Sequence, residues 1–402
     1  MTALSPIEKD AIATLSDAPM LAQVQDWARI NSGTRNLAGV AVMAGKLGDA
    51  FAPLPGRIEL AEPAPVTSVG LDGTVSDLVH GRHFHLTVRP DAPVQMLFTG
   101  HMDTVYPVDH PFQALTFLAD GTLNGPGVAD MKGGLSVMLA ALKAVEASPL
   151  AGRIGYEAVI NSDEETGSSS SSALLAQAAR GKIAALTYEP ALPDGTLAGA
   201  RGGTGNFSIV VHGKSAHAGR NPDEGRNAIV AAADIALRLS RVRGPGLAVN
   251  PARIEGGGPN NVVPDLAILR VNFRPAAQEE IARAQAAVDS VVAAVAAEHD
   301  VRIQVHGGFN RPPKPIDPGA AKLFELVKSA GADLGLDLSW RATGGVCDGN
   351  NIAACGVPVV DTMGARGGAI HSSDEFLIVD SLAERAALSA LTVLRIAEKG
   401  SL

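Results

Sequence analysis

Residues 94–105 read V-Q-M-L-F-T-G-H-M-D-T-V, and residues 125–145 read G-P-G-V-A-D-M-K-G-G-L-S-V-M-L-A-A-L-K-A-V. The first begins with an apolar run of strand length that stops at Gly100-His101. The second is a glycine-rich turn that opens an apolar helix over about 135–145. Strand, turn and helix in succession are the working unit of an α/β fold, and the unit recurs. Residues 154–160 form a second strand that ends in Asn161-Ser162-Asp163-Glu164-Glu165, and a helix is expected after the serine run. Residues 184–188 form a third strand, ending at Glu189-Pro190. This alternation predicts an α/β sheet with much parallel pairing. Each strand delivers a polar residue at its end, where such scaffolds place reactive groups.

Working outward, residues 21–30 carry Leu21, Val24, Trp27 and Ile30 at a three-residue spacing, which suits one face of a helix. Residues 78–88 partly alternate, as a hairpin would. After residue 202 the pattern changes. A strand over 207–212 and a helix over 228–239 lead to two strands over 248–255 and 267–273. A helix over 279–298 and a strand over 301–305 complete a small sheet with two helices, inserted as a unit. Arg311-Pro312-Pro313 reads as its exit hinge, and helix–strand alternation returns from about residue 314. The expected division is therefore 1–204 and 311–402 for one domain and 205–310 for the insert. The tract Ser168–Ser172 is expected to cap and start a helix.

A chain of 402 residues exceeds one ordinary core, in keeping with two domains. Its hydrophobic content of 46% and charged content of 19% are those of a globular protein. The formal charge of -9 argues against nucleic acid or an anionic membrane as the main partner. Two cysteines, Cys347 and Cys355, exclude a disulfide framework and read as buried or partly buried thiols. No uninterrupted apolar stretch reaches the roughly 18–20 residues of a membrane span. Residues 1–10 lack a basic segment followed by an apolar one, so a cytoplasmic location is the expectation.

Six side chains at loop-like positions share a chemistry: His101, Asp130, Glu164, Glu165, Glu189 and His371. Imidazole nitrogens and carboxylate oxygens are the mixed ligand set of a two-metal hydrolase, with one carboxylate left over as a base. Adjacent side chains diverge, so in S-D-E-E-T-G (residues 162–167) Glu165 can hold a metal while Glu164 faces the reacting water. Asp103, two residues beyond His101, can fix the imidazole tautomer. The Walker phosphate loop is absent: Gly213-Lys214-Ser215 has its tail, but Ser208 stands where its first glycine belongs. No Gly-x-Ser-x-Gly elbow supports a serine hydrolase. His83 and His85 have no acidic partner in their phrase and read as a surface strand.

These phrases, in this order, resemble the di-zinc exopeptidases and amidohydrolases that include glutamate carboxypeptidase, aminoacylase and acetylornithine deacetylase. The resemblance runs from about residue 98 to the C-terminus and is closest in phrasing to glutamate carboxypeptidase. It implies a zinc-exopeptidase-like mixed sheet flanked by helices, with an inserted α+β, ferredoxin-like lid and dimerisation domain. By the same resemblance, His101 and Glu189 hold one zinc ion, Glu165 and His371 hold the other, and Asp130 bridges them beside a cis peptide to Met131. Cobalt or manganese would fit similar ligands. Glu164 is the implied base, acting on a hydroxide shared by the two metals, and Asp103 orients His101. His217, in G-K-S-A-H-A-G, would reach across a homodimer to the partner's site. Asn261, Arg274, Arg311 and the Gly344-Gly345 loop would contact substrate. The implied reaction is cleavage of an amide bond to release an amino acid from a small N-acyl amino acid or short peptide. An N-acyl-amino-acid deacylase and a non-catalytic binding protein with the same fold are the alternatives.

Overall fold

The computed structural model describes residues 4–402. Its central sheet has six strands in the order Arg57–Ala61, His83–Val88, Ile154–Asn161, Val94–His101, Ala184–Thr187, Val359–Val360. The strands from Ile154–Asn161 onward in that order run parallel to one another, and the other two pair antiparallel. The fold is thus the mixed α/β sheet that the sequence predicts.

Both faces of the sheet are covered, which explains its near-continuous apolar strands. Met96 and Phe98 point into the larger core, which includes Leu135, Met138 and Leu142 of the helix Gly134–Glu146 and Leu391 of the helix Ser381–Lys399. Leu97, between them, faces the other way, onto Leu175 of the helix Ser172–Ala179 and Ile352 of the helix Asp348–Ala354.

A second sheet runs Leu247–Gly256, Leu266–Pro275, Thr204–His212, Arg302–Arg311, antiparallel throughout. With the helices Ala228–Ser240 and Gln278–His299 it follows the β-α-β-β-α-β order of a ferredoxin-like unit. It has its own core, in which Phe207 and Phe273 pack edge to face at 5.3 Å.

Three local expectations give way. Residues 78–88 are not a hairpin: Val75–Asp77 pairs with Thr67–Val69, whereas His83–Val88 is an inner strand of the main sheet. His83 and His85 are therefore buried rather than on the surface. His85 meets Glu157 at 2.7 Å and Glu59 at 3.3 Å, acidic partners supplied by neighbouring strands. The serine run precedes the helix Ser172–Ala179, but Ser171 makes no side-chain cap bond. Its serines bond inward instead: Ser170 and Ser171 donate to Asp163 at 2.8 and 2.6 Å, and Ser168 donates to Asp348. No helix among the described residues is long and apolar enough to cross a membrane.

Candidate metal centre and active site

The parallel strands end together at one edge of the main sheet, and the turns that follow carry the chemistry. His101 closes its strand, Glu164 and Glu165 follow Asn161, and Glu189 follows Thr187 by two residues. Asp130 lies in the turn Val128–Gly133 ahead of the helix Gly134–Glu146. That turn packs tightly on the neighbouring chain. A Cβ at Gly134 would stand 2.0 Å from the Tyr188 carbonyl oxygen, and Gly127 adopts φ of 71°, so glycine is required at both. The Asp130–Met131 peptide is cis.

The structure brings together the five side chains expected to hold metal. His101 Nε2 lies 3.0 Å from Asp130 Oδ1 and 3.8 Å from Glu189 Oε2. His371 Nε2 lies 3.3 Å from the other Asp130 oxygen and 3.3 Å from Glu165 Oε2. Asp130 thus faces both imidazoles, one with each oxygen. Donor atoms of His101, Asp130 and Glu165, and likewise of His101, Glu164 and Glu189, fall within 4.8 Å of one another. His371 is the most open member, with its side chain 53% exposed, and it holds a left-handed backbone at φ of 64°. Such a conformation is uncommon outside glycine and concentrates at functional sites.

Charge in this cluster is out of balance. Burial, reinforced by Asp130, pushes Glu165 up to about 8. Burial pushes Glu164 up to about 7 against the pull of Arg311, and it raises Glu189 as well. Burial works against Asp130 too, but hydrogen bonds from His101 and His371 hold its carboxyl well below the usual range. Bonds to Asp130 and Glu165 raise His371 to about 10. Glu165 Oε1 is buried with no hydrogen-bond partner. Excess carboxylates, converging imidazoles and an unsatisfied buried oxygen fit a divalent metal centre, because cations would meet each of those needs.

The surrounding residues fix this geometry. His101 Nδ1 lies 3.0 Å from the Asp103 carbonyl oxygen, a hydrogen bond that leaves Nε2 free as a ligand. The Asp103 carboxylate accepts from the amides of Glu164 and Glu165, at 3.2 and 3.3 Å, and from the Thr34 hydroxyl at 2.7 Å. It therefore sets the Glu164–Glu165 turn as well as the histidine. Glu375 accepts from the amides of Gly127, Ala129 and Asp130 and from the Tyr106 hydroxyl. It clamps the turn that presents Asp130. Sequence reading passed over Glu375, although it lies in the same phrase as His371.

A cavity of about 670 Å³ opens over the cluster. Asp130, Glu164, Glu165, Glu189 and His371 line it, as do Gly344 and Gly345. Arg201 lines it too, bound to both oxygens of Asp361 (2.7 and 3.1 Å) and to the Gly345 carbonyl (3.0 Å). Lys314 reaches the same carboxylate at 2.8 Å. Residues 201, 314 and 361 are far apart in sequence and carry no local motif that would unite them.

The remaining predicted contacts lie elsewhere. Arg311 ends the strand Arg302–Arg311 beside Glu164 and is 4% exposed. Its guanidinium meets Glu164 Oε1 at 2.7 Å and the Ser168 hydroxyl at 2.8 Å, with Asp348 at 3.4 Å, and it is absent from the cavity wall. The structure therefore gives it to the predicted base rather than to a substrate carboxylate. His217, Asn261 and Arg274 are exposed on the second sheet and its loops, and none lines the cavity.

Imidazole and carboxylate donors gathered at the carboxyl ends of parallel strands, all buried but His371 and set beneath an open cavity, are the arrangement of a metal-dependent hydrolase. Comparison with known proteins narrows the class. Residues 97–395 match the model of peptidase family M20/M25/M40, and the chain belongs to that family. It is 29% identical to carboxypeptidase G2 of Pseudomonas sp. (strain RS-16) over 308 residues, 74% of this chain and 73% of that one. Its fold matches a tripeptidase from Staphylococcus aureus with a TM-score of 0.71 at 23% identity, covering 96% of this chain and 99% of the other. It also matches a dinuclear metal-binding peptidase of the family from Bacillus subtilis, with a TM-score of 0.64 at 16% identity over 95% and 98% of the two chains.

Proposed function

We propose that this chain cleaves an amide bond to release an amino acid bearing a free carboxylate, in the manner of a glutamate carboxypeptidase, with Glu164 as general base. The observation that carries the reading is the convergence of His101, Asp130, Glu165, Glu189 and His371 around Glu164 at the floor of one cavity.

His101, Asp130 and Glu189 would hold one metal ion, and Asp130, Glu165 and His371 the other, zinc being the first choice for these ligands and cobalt or manganese possible. When bound, such ions polarise the amide carbonyl and make the attacking water acidic. The chain's own residues handle the proton. Burial raises the proton affinity of Glu164 above that of an exposed glutamate, the direction a general base requires. Arg311 sets its charge 2.7 Å from Glu164 Oε1 and donates to the Glu164 carbonyl oxygen at 2.9 Å, which holds the base in place as its carboxylate takes the proton from water and returns it to the leaving amine. Asp103 fixes the backbone of Glu164 and Glu165, which keeps base and ligand on diverging paths.

The insert, residues 205–310, is read as a lid and dimerisation domain. His217 would stabilise the oxyanion in the partner's site, with Asn261 and Arg274 contacting substrate there. Their exposure, and their absence from their own cavity wall, supports an action between chains. An N-acyl-amino-acid deacylase is the second reading, favoured by the apolar side chains Leu192, Leu197, Val346 and Ile370 in the cavity wall, which suit an acyl group. Product analysis on a panel of N-acyl amino acids and dipeptides separates the two. Tolerance of many acyl groups on one amino acid supports the carboxypeptidase, dependence on one small acyl group supports the deacylase, and no amide hydrolysis with metal loaded refutes both.

A further inference from the structure

We propose that Arg341 receives the free carboxylate of the substrate's terminal amino acid, so that the chain carries an anion subsite in its own cavity wall. The inference rests on the proposed release of an amino acid.

Arg341 lies in the strand Trp340–Thr343, which pairs in parallel with Leu197–Arg201, Ala198 opposite Arg341. Trp340 turns to the core side and packs its ring on Phe324 at 4.9 Å. Strand alternation then puts Arg341 on the opposite face, where it is exposed and lines the cavity.

Three cationic or potentially cationic side chains line that cavity: Arg201, Arg341 and His371. Arg201 is spent on Asp361 and the Gly345 carbonyl, and His371 on Asp130 and Glu165. Arg341 alone of the three makes no hydrogen bond or ion pair among the described residues. Asp194 lies within its electrostatic reach, but that exposed carboxylate accepts the Thr196 amide at 2.9 Å. Arg311, the buried alternative, is already held by Glu164, Ser168 and Asp348.

Electrostatics points the same way. Four carboxylates line the cavity, and Arg201 and His371 in the same wall are already paired, so they offer an incoming anion no open contact. An incoming substrate carboxylate then needs a further cation, and a guanidinium matches it with a planar two-point fork.

The test compares N-benzoyl-L-glutamate and N-benzoyl-L-leucine with their α-carboxamides, using the metal-loaded protein and R341Q. Loss of a charge-assisted contact should raise KM for the carboxylates by roughly ten- to a hundredfold, with kcat changed less than about threefold. The carboxylate-to-carboxamide ratio of kcat/KM should fall toward one, and R341K should recover part of it. In an E164Q background, R341Q should weaken calorimetric binding of N-benzoyl-L-glutamate by a similar factor. Unchanged KM and binding in R341Q overturn the proposal, as does an equal loss on both substrate forms. If the loaded wild-type protein cleaves no N-acyl amino acid yet hydrolyses other amides, the parent reading fails and takes this inference with it.

Discussion

Two clusters of buried charge meet at the cavity. In one, Asp361 is gripped by Arg201 and Lys314, and its carboxyl, pushed up by burial, is pulled down further by those cations to about 2. In the other, Asp130, Glu164, Glu165 and Glu189 crowd around two imidazoles, and burial drives Glu164 and Glu165 up to about 7 and 8. The first is satisfied within the fold. The second is left short of positive charge, and that shortage is what a metal centre looks like from the protein's side. Burial alone does not mark a functional site, since both clusters are buried. The sign of the imbalance separates them.

The contrast can be broken most sharply at Glu164. E164Q should lower kcat by roughly a hundred- to ten-thousandfold and leave the fold intact, since the amide is neutral like the protonated acid. Steady-state kinetics on the best substrate of the panel checks this, and a variant retaining more than about a tenth of the rate would end the base assignment.

D361N should do the reverse: cost about 3–5 kcal/mol of stability by leaving two buried cations without their carboxylate. Asp361 has its pKa depressed on folding, from an ordinary 3.8 to about 2. Its contribution is therefore present above pH about 4 and lost as pH falls through about 2. Urea titrations of wild type and D361N should differ at pH 7 and converge toward pH 2. A gap that persists unchanged in acid would show that the ion pairs are not its source.

H217A should reduce kcat by about a hundredfold, in the range of an oxyanion donor. Mixing H217A with E164Q under subunit exchange should restore part of the activity, because one hybrid site then holds both intact residues. No recovery in hybrids of demonstrated composition would confine His217 to its own chain. The smallest effect distinguishes the clusters by protons. Adding zinc to chelator-treated protein at pH 7 should release about one proton or more per chain, because Glu165 and His371 titrate above that pH in the metal-free cluster. D361N should release the same number.

Much of this was legible in the sequence because strand ends are local features. The strands at 94–101, 154–161 and 184–187 are apolar on both faces, and each announces its end with a polar residue, so His101, Glu164, Glu165 and Glu189 could be placed at one edge of a sheet. The β-α-β-β-α-β order of the insert was equally visible from periodicity. Partnerships were not. Nothing near Arg311 says that it lies under Glu164, and nothing in the serine run says that Ser168 meets Asp348 and Ser170 meets Asp163. His83 and His85 were misjudged for the same reason, since their strand became an inner one only through pairing with residues 154–161. Contacts across such separations are fixed by topology, which local patterns do not carry.

The central claim is that five side chains hold metal and Glu164 does not. Elemental analysis of wild type, E164Q and D130N, each reloaded with zinc and freed of excess, tests it most directly. About two ions per chain are predicted in wild type and in inactive E164Q, with loss of one or both in D130N. Zinc lost from E164Q, or retained in full by D130N, would contradict the account.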